Sequence, residues 1–145
     1  MSEQSQDAMD PAPDDRESAY ELFQRGHELL TKRHFAQAAT VLERADREEP
    51  GKASILEALG RAYYNSGQHG RSRATFEQLL ELDPSAHYAQ FALGQSLKRL
   101  GRTDEARTHL RLAVALDPNS QVYRGALARL GPPPIGVRRE PPRRS

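Results

Sequence analysis

The amino-acid sequence repeats itself every 34 residues: Gly26, Gly60 and Gly94 stand 34 apart, and so do Pro50, Pro84 and Pro118. Apolar residues keep the same register, with Leu22 matching Leu56, Leu59 matching Leu93, Leu42 matching Phe76 and Leu110, and Leu82 matching Leu116. A period of this length restricts the chain to an array of supersecondary units, each completing its neighbour's core. Within a unit the apolar residues recur at helical spacing, as in Leu56, Leu59 and Tyr63 followed by Phe76, Leu79 and Leu80. No alternating run suggests a strand, so each unit is two helices. Gly67 and Gly101 supply the left-handed residue that ends a first helix, and each repeating proline stops a second one. The predicted helices are 19–32 and 35–47, 53–66 and 69–82, 87–100 and 103–116. A seventh, about 120–130, carries Val122, Tyr123, Leu127 and Leu130 and ends at Gly131-Pro132. The expected folded unit is all-α and covers 19–130, as repeats 19–52, 53–86 and 87–118 with a capping helix at 120–130.

The composition agrees once it is divided. Of 145 residues 53 are apolar, but only 6 of these fall within 1–18 and 131–145, which leaves a globular middle between two polar tails. Both tails are expected to be disordered. The net charge of +1 is a cancellation: −5 over residues 1–18, +3 over the middle and +3 over the Pro/Arg-rich 131–145. No segment is basic enough to call for nucleic acid. The absence of cysteine excludes disulfides and cysteine-containing zinc sites, and no apolar run is long enough to insert in a membrane. Six acids and no apolar stretch in the first 18 residues are the reverse of a signal peptide, so the expected location is cytoplasmic.

With its spacing in hand, the middle resembles the tetratricopeptide repeat (TPR) family. Unit two reads Leu56-x-x-Leu59-Gly60-x-x-Tyr63, then Ser72-x-x-x-Phe76, then Pro84. Units one and three offer Gly26-x-x-Leu29, Ala38-x-x-x-Leu42 and Pro50, and Leu93-Gly94-x-x-Leu97, Ala106-x-x-x-Leu110 and Pro118. Arg25 stands where Leu is usual, and Ser72 and Leu79 where Ala is usual. The resemblance implies a right-handed superhelical α-solenoid that binds a peptide or helix along a concave surface lined by the first helix of each pair.

On that surface the resemblance places Tyr20, Phe23, His27 and Leu30; Ser54, Glu57, Arg61 and Tyr64; and Tyr88, Phe91, Gln95 and Lys98. Five of the nine aromatic residues stand on this stripe, away from the core positions Leu22, Leu29, Leu56, Leu59, Leu93 and Leu97. The candidate groove residues are Tyr20, Phe23, His27, Arg61, Tyr64, Tyr88, Phe91 and Lys98, with aromatic anchors supplying affinity and cations orientation. The alternative reading has the aromatics packing on the stack's end and on neighbouring helices. Arg61, Lys98 and Arg99 would attract an acidic partner. Chaperone-tail binders of this family hold a terminal carboxylate in a clamp of Lys, Asn and Arg; the corresponding residues here are Phe23, His27, Ala58, Tyr88 and Ala92, so the clamp is absent. The two tails are further candidates for docking, the basic one through polyproline II and the acidic one by folding back onto the groove.

No catalytic or cofactor constellation is found. His27-Glu28-Leu29-Leu30-Thr31 begins like a zinc-protease motif but has Thr31 where the second ligand is required. His34 and His69 are expected at the starts of second helices and His109 on an exposed helical face. The expected function is a non-enzymatic protein-interaction module of the scaffold, adaptor or co-chaperone kind, without metal or cofactor. Homo-oligomerisation is the alternative, and an RNA-binding solenoid a more distant one.

Overall fold

The computed structural model describes residues 17–133, and among them every regular element is an α-helix. These are α1 (Ala19–Thr31), α2 (Phe35–Glu48), α3 (Ala53–Asn65), α4 (His69–Leu82), α5 (His87–Arg99), α6 (Thr103–Leu116) and α7 (Gln121–Leu130). The first helices begin at 19, 53, 87 and 121, so α7 occupies the register of a fourth first helix. Consecutive helices pack as antiparallel pairs. In addition α1 touches α3 and α3 touches α5, an approach that the second helices do not match, so the first helices lie on the inside of the curve.

The turns inside the hairpins follow the glycine logic with one exception. Gly67 and Gly101 adopt φ of +83° and +80°, but the equivalent residue of the first hairpin is Arg33, with φ of +65°. A side chain in the left-handed region costs roughly 1–2 kcal/mol; stacking of the Arg33 guanidinium over the Phe35 ring, 5.2 Å from its centroid, offsets part of that.

Close helix contact inside each pair depends on the repeating glycine. A Cβ built on Gly60 would stand 2.6 Å from the Phe76 ring, so the ring of α4 fills the space that the missing side chain leaves on α3. The departures from the family pattern are absorbed locally. Ser72 is fully buried, and its Oγ lies 2.7 Å from Ser96 Oγ on the next repeat. Ser96 donates its proton to the Ala92 carbonyl, so Ser72 is the donor to Ser96 and neither hydroxyl is left unpaired. The Tyr63 hydroxyl likewise donates across repeats to Glu43 (2.5 Å). Its pKa is pushed well up by burial and by that carboxylate, which keeps it a donor.

Two expectations about the folded boundary and the core change. Ser18 and Glu17, assigned to the tail, belong to the folded unit: Ser18 and Glu21 form a reciprocal capping box at the start of α1, and Glu17 pairs with Arg25 at 2.5 Å. This explains Arg25 in place of Leu. Leu29 is half-buried rather than a core residue, because no helix among the described residues covers it beside Val41. The remaining tail assignments, at 1–16 and 134–145, lie outside the described residues.

Candidate functional site

Inner-face residues meet at two junctions, and the side chains at matching register make them different. Between repeats 2 and 3 lies a cavity of about 210 Å³. Tyr64 from α3 and Tyr88 and Phe91 from α5 form its walls, and Phe76 from α4 its floor; Arg61 and Gln95 stand at its rim. The rings hold one another in place: Phe76 and Tyr88 meet edge to face with centroids 6.1 Å apart, and Phe91 stacks on Tyr123 of α7 at 5.0 Å. Tyr123 is anchored by its hydroxyl to His87 Nδ1 at 2.8 Å. Such ring pairs are worth about 0.5–1.5 kcal/mol each beyond their buried area. The walls are therefore set before any ligand arrives.

Between repeats 1 and 2 the cavity is of similar size, about 200 Å³, but its lining is Phe23, His27, Ser54, Glu57, Ala58 and Arg61. Ser54 and Glu57 sit one period before Tyr88 and Phe91. The same backbone position thus carries polar side chains at one junction and aromatic rings at the other.

Charges of both signs bear on the aromatic junction: Arg61 acts on Tyr88, and the Glu57 carboxylate acts on Tyr88 and Tyr123. Burial raises the pKa of the Tyr88 and Tyr123 hydroxyls, so both stay neutral. His69, edge-on to Tyr64 at 5.1 Å, has its pKa lowered by burial and then by nearby Arg99. Arg99 is already engaged, with Nε donating to the Tyr64 hydroxyl at 3.1 Å and its guanidinium 5.8 Å from the same ring. That leaves Arg61, which contributes to both cavities. Its guanidinium has no hydrogen-bond acceptor or carboxylate partner among the described residues.

The eight candidate residues are thus distributed unequally. Arg61, Tyr64, Tyr88 and Phe91 converge on the aromatic cavity. Phe23 and His27 pair edge to face at 5.7 Å and line the polar one. Tyr20 is 67% exposed and faces a separate cleft near Lys52 and Ile55. Lys98 is exposed and lines none of these cavities. Leu30, placed on the same stripe, is buried in the core among Ala38, Ala39, Ala58 and Ala62, whose small side chains leave room to enclose it. His109, expected on an exposed face, is half-buried and bonded through Nδ1 to Gln90 Oε1 at 2.8 Å. Gln90 donates its own amide to the Pro84 carbonyl, which fixes its oxygen toward the ring and makes Nδ1 the donor.

Phe76 and Tyr123 join the site without having been expected there. Phe76 reads as core from its register, and its ring, packed against Gly60, also lines the cavity. The position of Tyr123 follows from the docking of α7. Of the five positions where the family places its carboxylate clamp, Ala58 and Ala92 are buried, and His27 alone can carry a positive charge.

Comparison with known proteins agrees with this geometry. Residues 23–74 and 57–121 match the family model described as tetratricopeptide repeat. Small glutamine-rich tetratricopeptide repeat-containing protein 2 of Mycosarcoma maydis is 25% identical over 118 residues; the match covers 81% of this chain and 34% of that protein, so the chain spans about a third of that relative's length. Among solved structures, the first TPR of Spaghetti (RPAP3) bound to the HSP90 peptide SRMEEVD superposes with a TM-score of 0.73 at 16% identity, covering 78% of this chain and 90% of that one. The Sgt2 TPR domain from Aspergillus fumigatus gives a TM-score of 0.71 at 20% identity, over 85% and 80% of the two chains. At these identities the structures share the fold. Among the described residues no helix is long and apolar enough to cross a membrane.

Proposed function

The chain belongs to the tetratricopeptide repeat family, whose members generally mediate protein–protein interactions, and on that premise we propose that its concave face binds a peptide or helix of another protein. The observation that carries this reading is the preformed aromatic cavity between repeats 2 and 3, open to the inner face and built from rings that its own helices leave partly uncovered. Interfaces draw most of their affinity from a few buried aromatic anchors, and Tyr64, Tyr88 and Phe91 stand ready as such. Arg61 would set orientation and speed encounter. The Spaghetti domain is bound to an HSP90 peptide in the same fold, but the absence here of a Lys/Asn/Arg clamp argues for a ligand held by its side chains instead of its terminal carboxylate. The test is affinity capture with cross-linking from the native host. Partners should cross-link to the inner face of α3 and α5 and be lost from Tyr64→Ala/Phe91→Ala; retention by that double variant rejects the groove.

Self-association is a second reading, supported by the exposed apolar side chains Leu112, Leu116 and Val122 at the α6–α7 end of the stack. Light scattering after size exclusion decides it. A monomer across micromolar concentrations removes the option.

A further inference from the structure

The first repeat has no preceding repeat to cover it. On α3 the residues that meet the repeat before are Ile55, Ala58, Leu59 and Ala62, all buried. One period earlier α1 carries Glu21, Gln24, Arg25 and Glu28, polar side chains suited to water. Leu29 breaks that pattern. Its equivalents Tyr63 and Leu97 are buried, whereas Leu29 is half-buried and lies beside Val41 in a groove of about 550 Å³ between α1 and α2. Three cations, Arg25, Lys32 and Arg44, line this groove against one carboxylate, Glu28.

The chain's own N-terminal side enters at this face. Glu17 gives its two carboxylate oxygens to Arg25, at 2.8 and 2.5 Å, and stands 3.9 Å from Arg44. Among the described residues Arg44 is thus left without a carboxylate at hydrogen-bond distance. Upstream of Glu17, residues 7–15 read Asp-Ala-Met-Asp-Pro-Ala-Pro-Asp-Asp, with four carboxylates, no cation and one large apolar side chain, Met9. Pro11 and Pro13 favour extended polyproline II, which rises about 3.1 Å per residue, so the ten residues back from Glu17 to Asp7 reach about 30 Å. The 13 residues of α1 span about 20 Å. The segment is long enough to run from Arg44, beside the start of α1, past Leu29 to Lys32 at its end.

Charge selects this face over its neighbours. The adjoining cleft on α1 carries the carboxylates of Glu17, Glu21 and Glu28 against Arg25 and His27. The polar junction of the inner face sets Glu57 beside Arg61.

We infer that residues 7–15 of this chain lie as an extended strap in the outer α1–α2 groove, with Asp14 or Asp15 on Arg44, Met9 over Leu29 and Val41, and Asp7 or Asp10 near Lys32. The strap closes the end of the array that lacks a preceding repeat. It is held by exposed ion pairs, which are weak singly and screened by salt, so high ionic strength releases it. Nothing in it depends on what the inner face binds.

The three lysines of the chain stand at three different places, which makes zero-length carbodiimide cross-linking of the full chain decisive. Lys32 lies in this groove, Lys52 in the cleft that Tyr20 faces, and Lys98 on the inner stripe. At low salt, mass spectrometry of the monomer should find Asp7 or Asp10 linked to Lys32, alongside a control link between Lys32 and Glu28, whose charged groups are 3.5 Å apart. The Asp–Lys32 links should fall about fivefold or more in roughly 0.5 M salt. They should fall equally in Arg44→Glu, an exposed position whose exchange leaves the helices intact by circular dichroism. Because the chain has no cysteine, Thr40→Cys supplies a single thiol on the groove wall. A nitroxide there should broaden the amide resonances of residues 8–12 at low salt, and no longer do so in the Arg44→Glu background. Links to Lys52 or Lys98 in place of Lys32, links found only between two copies, or signals that persist in Arg44→Glu and at high salt overturn the inference. So does the absence at low salt of both the Lys32 links and the broadening.

Discussion

The two junctions on the inner face share backbone register, cavity size and the residue Arg61, yet one is lined by Ser54 and Glu57 and the other by Tyr88 and Phe91. Repetition fixes where a side chain stands on the curve. It leaves the chemistry of each position free, because a groove residue has no partner within the repeat to satisfy. The glycine, leucine and proline positions are held by packing, and so the repeat is legible in them and faint on the stripe between them.

The largest effect should come from removing the floor of the aromatic junction. Phe76 is 1% exposed, and Phe76→Ala should cost about 3–5 kcal/mol in urea unfolding followed by circular dichroism. Next is exchange of the two linings. Tyr88→Ser/Phe91→Glu rewrites the third repeat as the second and should weaken any groove ligand by about 30-fold or more in calorimetry, with helix content retained. If the affinity is unchanged, the difference between the junctions has no functional meaning.

The glycines sharpen the comparison. A Cβ at Gly26 meets Leu42 at 2.5 Å, while one at Gly60 meets the Phe76 ring at 2.6 Å. Each alanine variant should lose about 1–3 kcal/mol, but Gly60→Ala should also reduce ligand affinity, because it pushes the ring into the cavity. In the turns, Arg33→Gly should raise stability by up to about 1 kcal/mol in thermal or urea unfolding, since it gives the first hairpin the residue that the second has in Gly67.

The smallest effect concerns the outer side of the third repeat. Burial lowers the pKa of His109, against the opposing pull of Glu77 and Glu105. The folded state therefore holds its proton less readily than the unfolded chain. Stability from this group is complete above the ordinary value of 6.5 and is lost as the pH falls through that value toward the lower folded one. Melting curves at about pH 7.5 and pH 5.5 should show a drop that His109→Gln reduces.

Gly26, Gly60 and Gly94, with Pro50, Pro84 and Pro118, were enough to divide the chain into helical pairs, because helix ends and close backbone contacts are demands that only a few residue types meet. The helix limits read from them agree with the structure to within a residue. That reading missed side chains whose fate depends on a neighbour's size. Leu30 is enclosed in a cluster that includes four alanines, and Ser18 caps α1 because its hydroxyl accepts from the Glu21 N–H while the Glu21 carboxylate accepts from its own. Lys98 stands one period after Tyr64, which lines the aromatic cavity, yet lines none of the cavities itself.

The sequence by itself determined a three-repeat array with a capping helix at its end, because a 34-residue period of packing residues has few physical solutions. Tertiary structure alone decided that Phe76, Tyr88, Phe91 and Tyr123, drawn from three helices, stack into a rigid wall. It also decided that, among the described residues, the enclosed Gln95 Oε1 has no donor and Arg61 has no carboxylate partner. Which rings touch and which acceptor goes unmet depend on distances between helices, and a linear pattern carries no such distances.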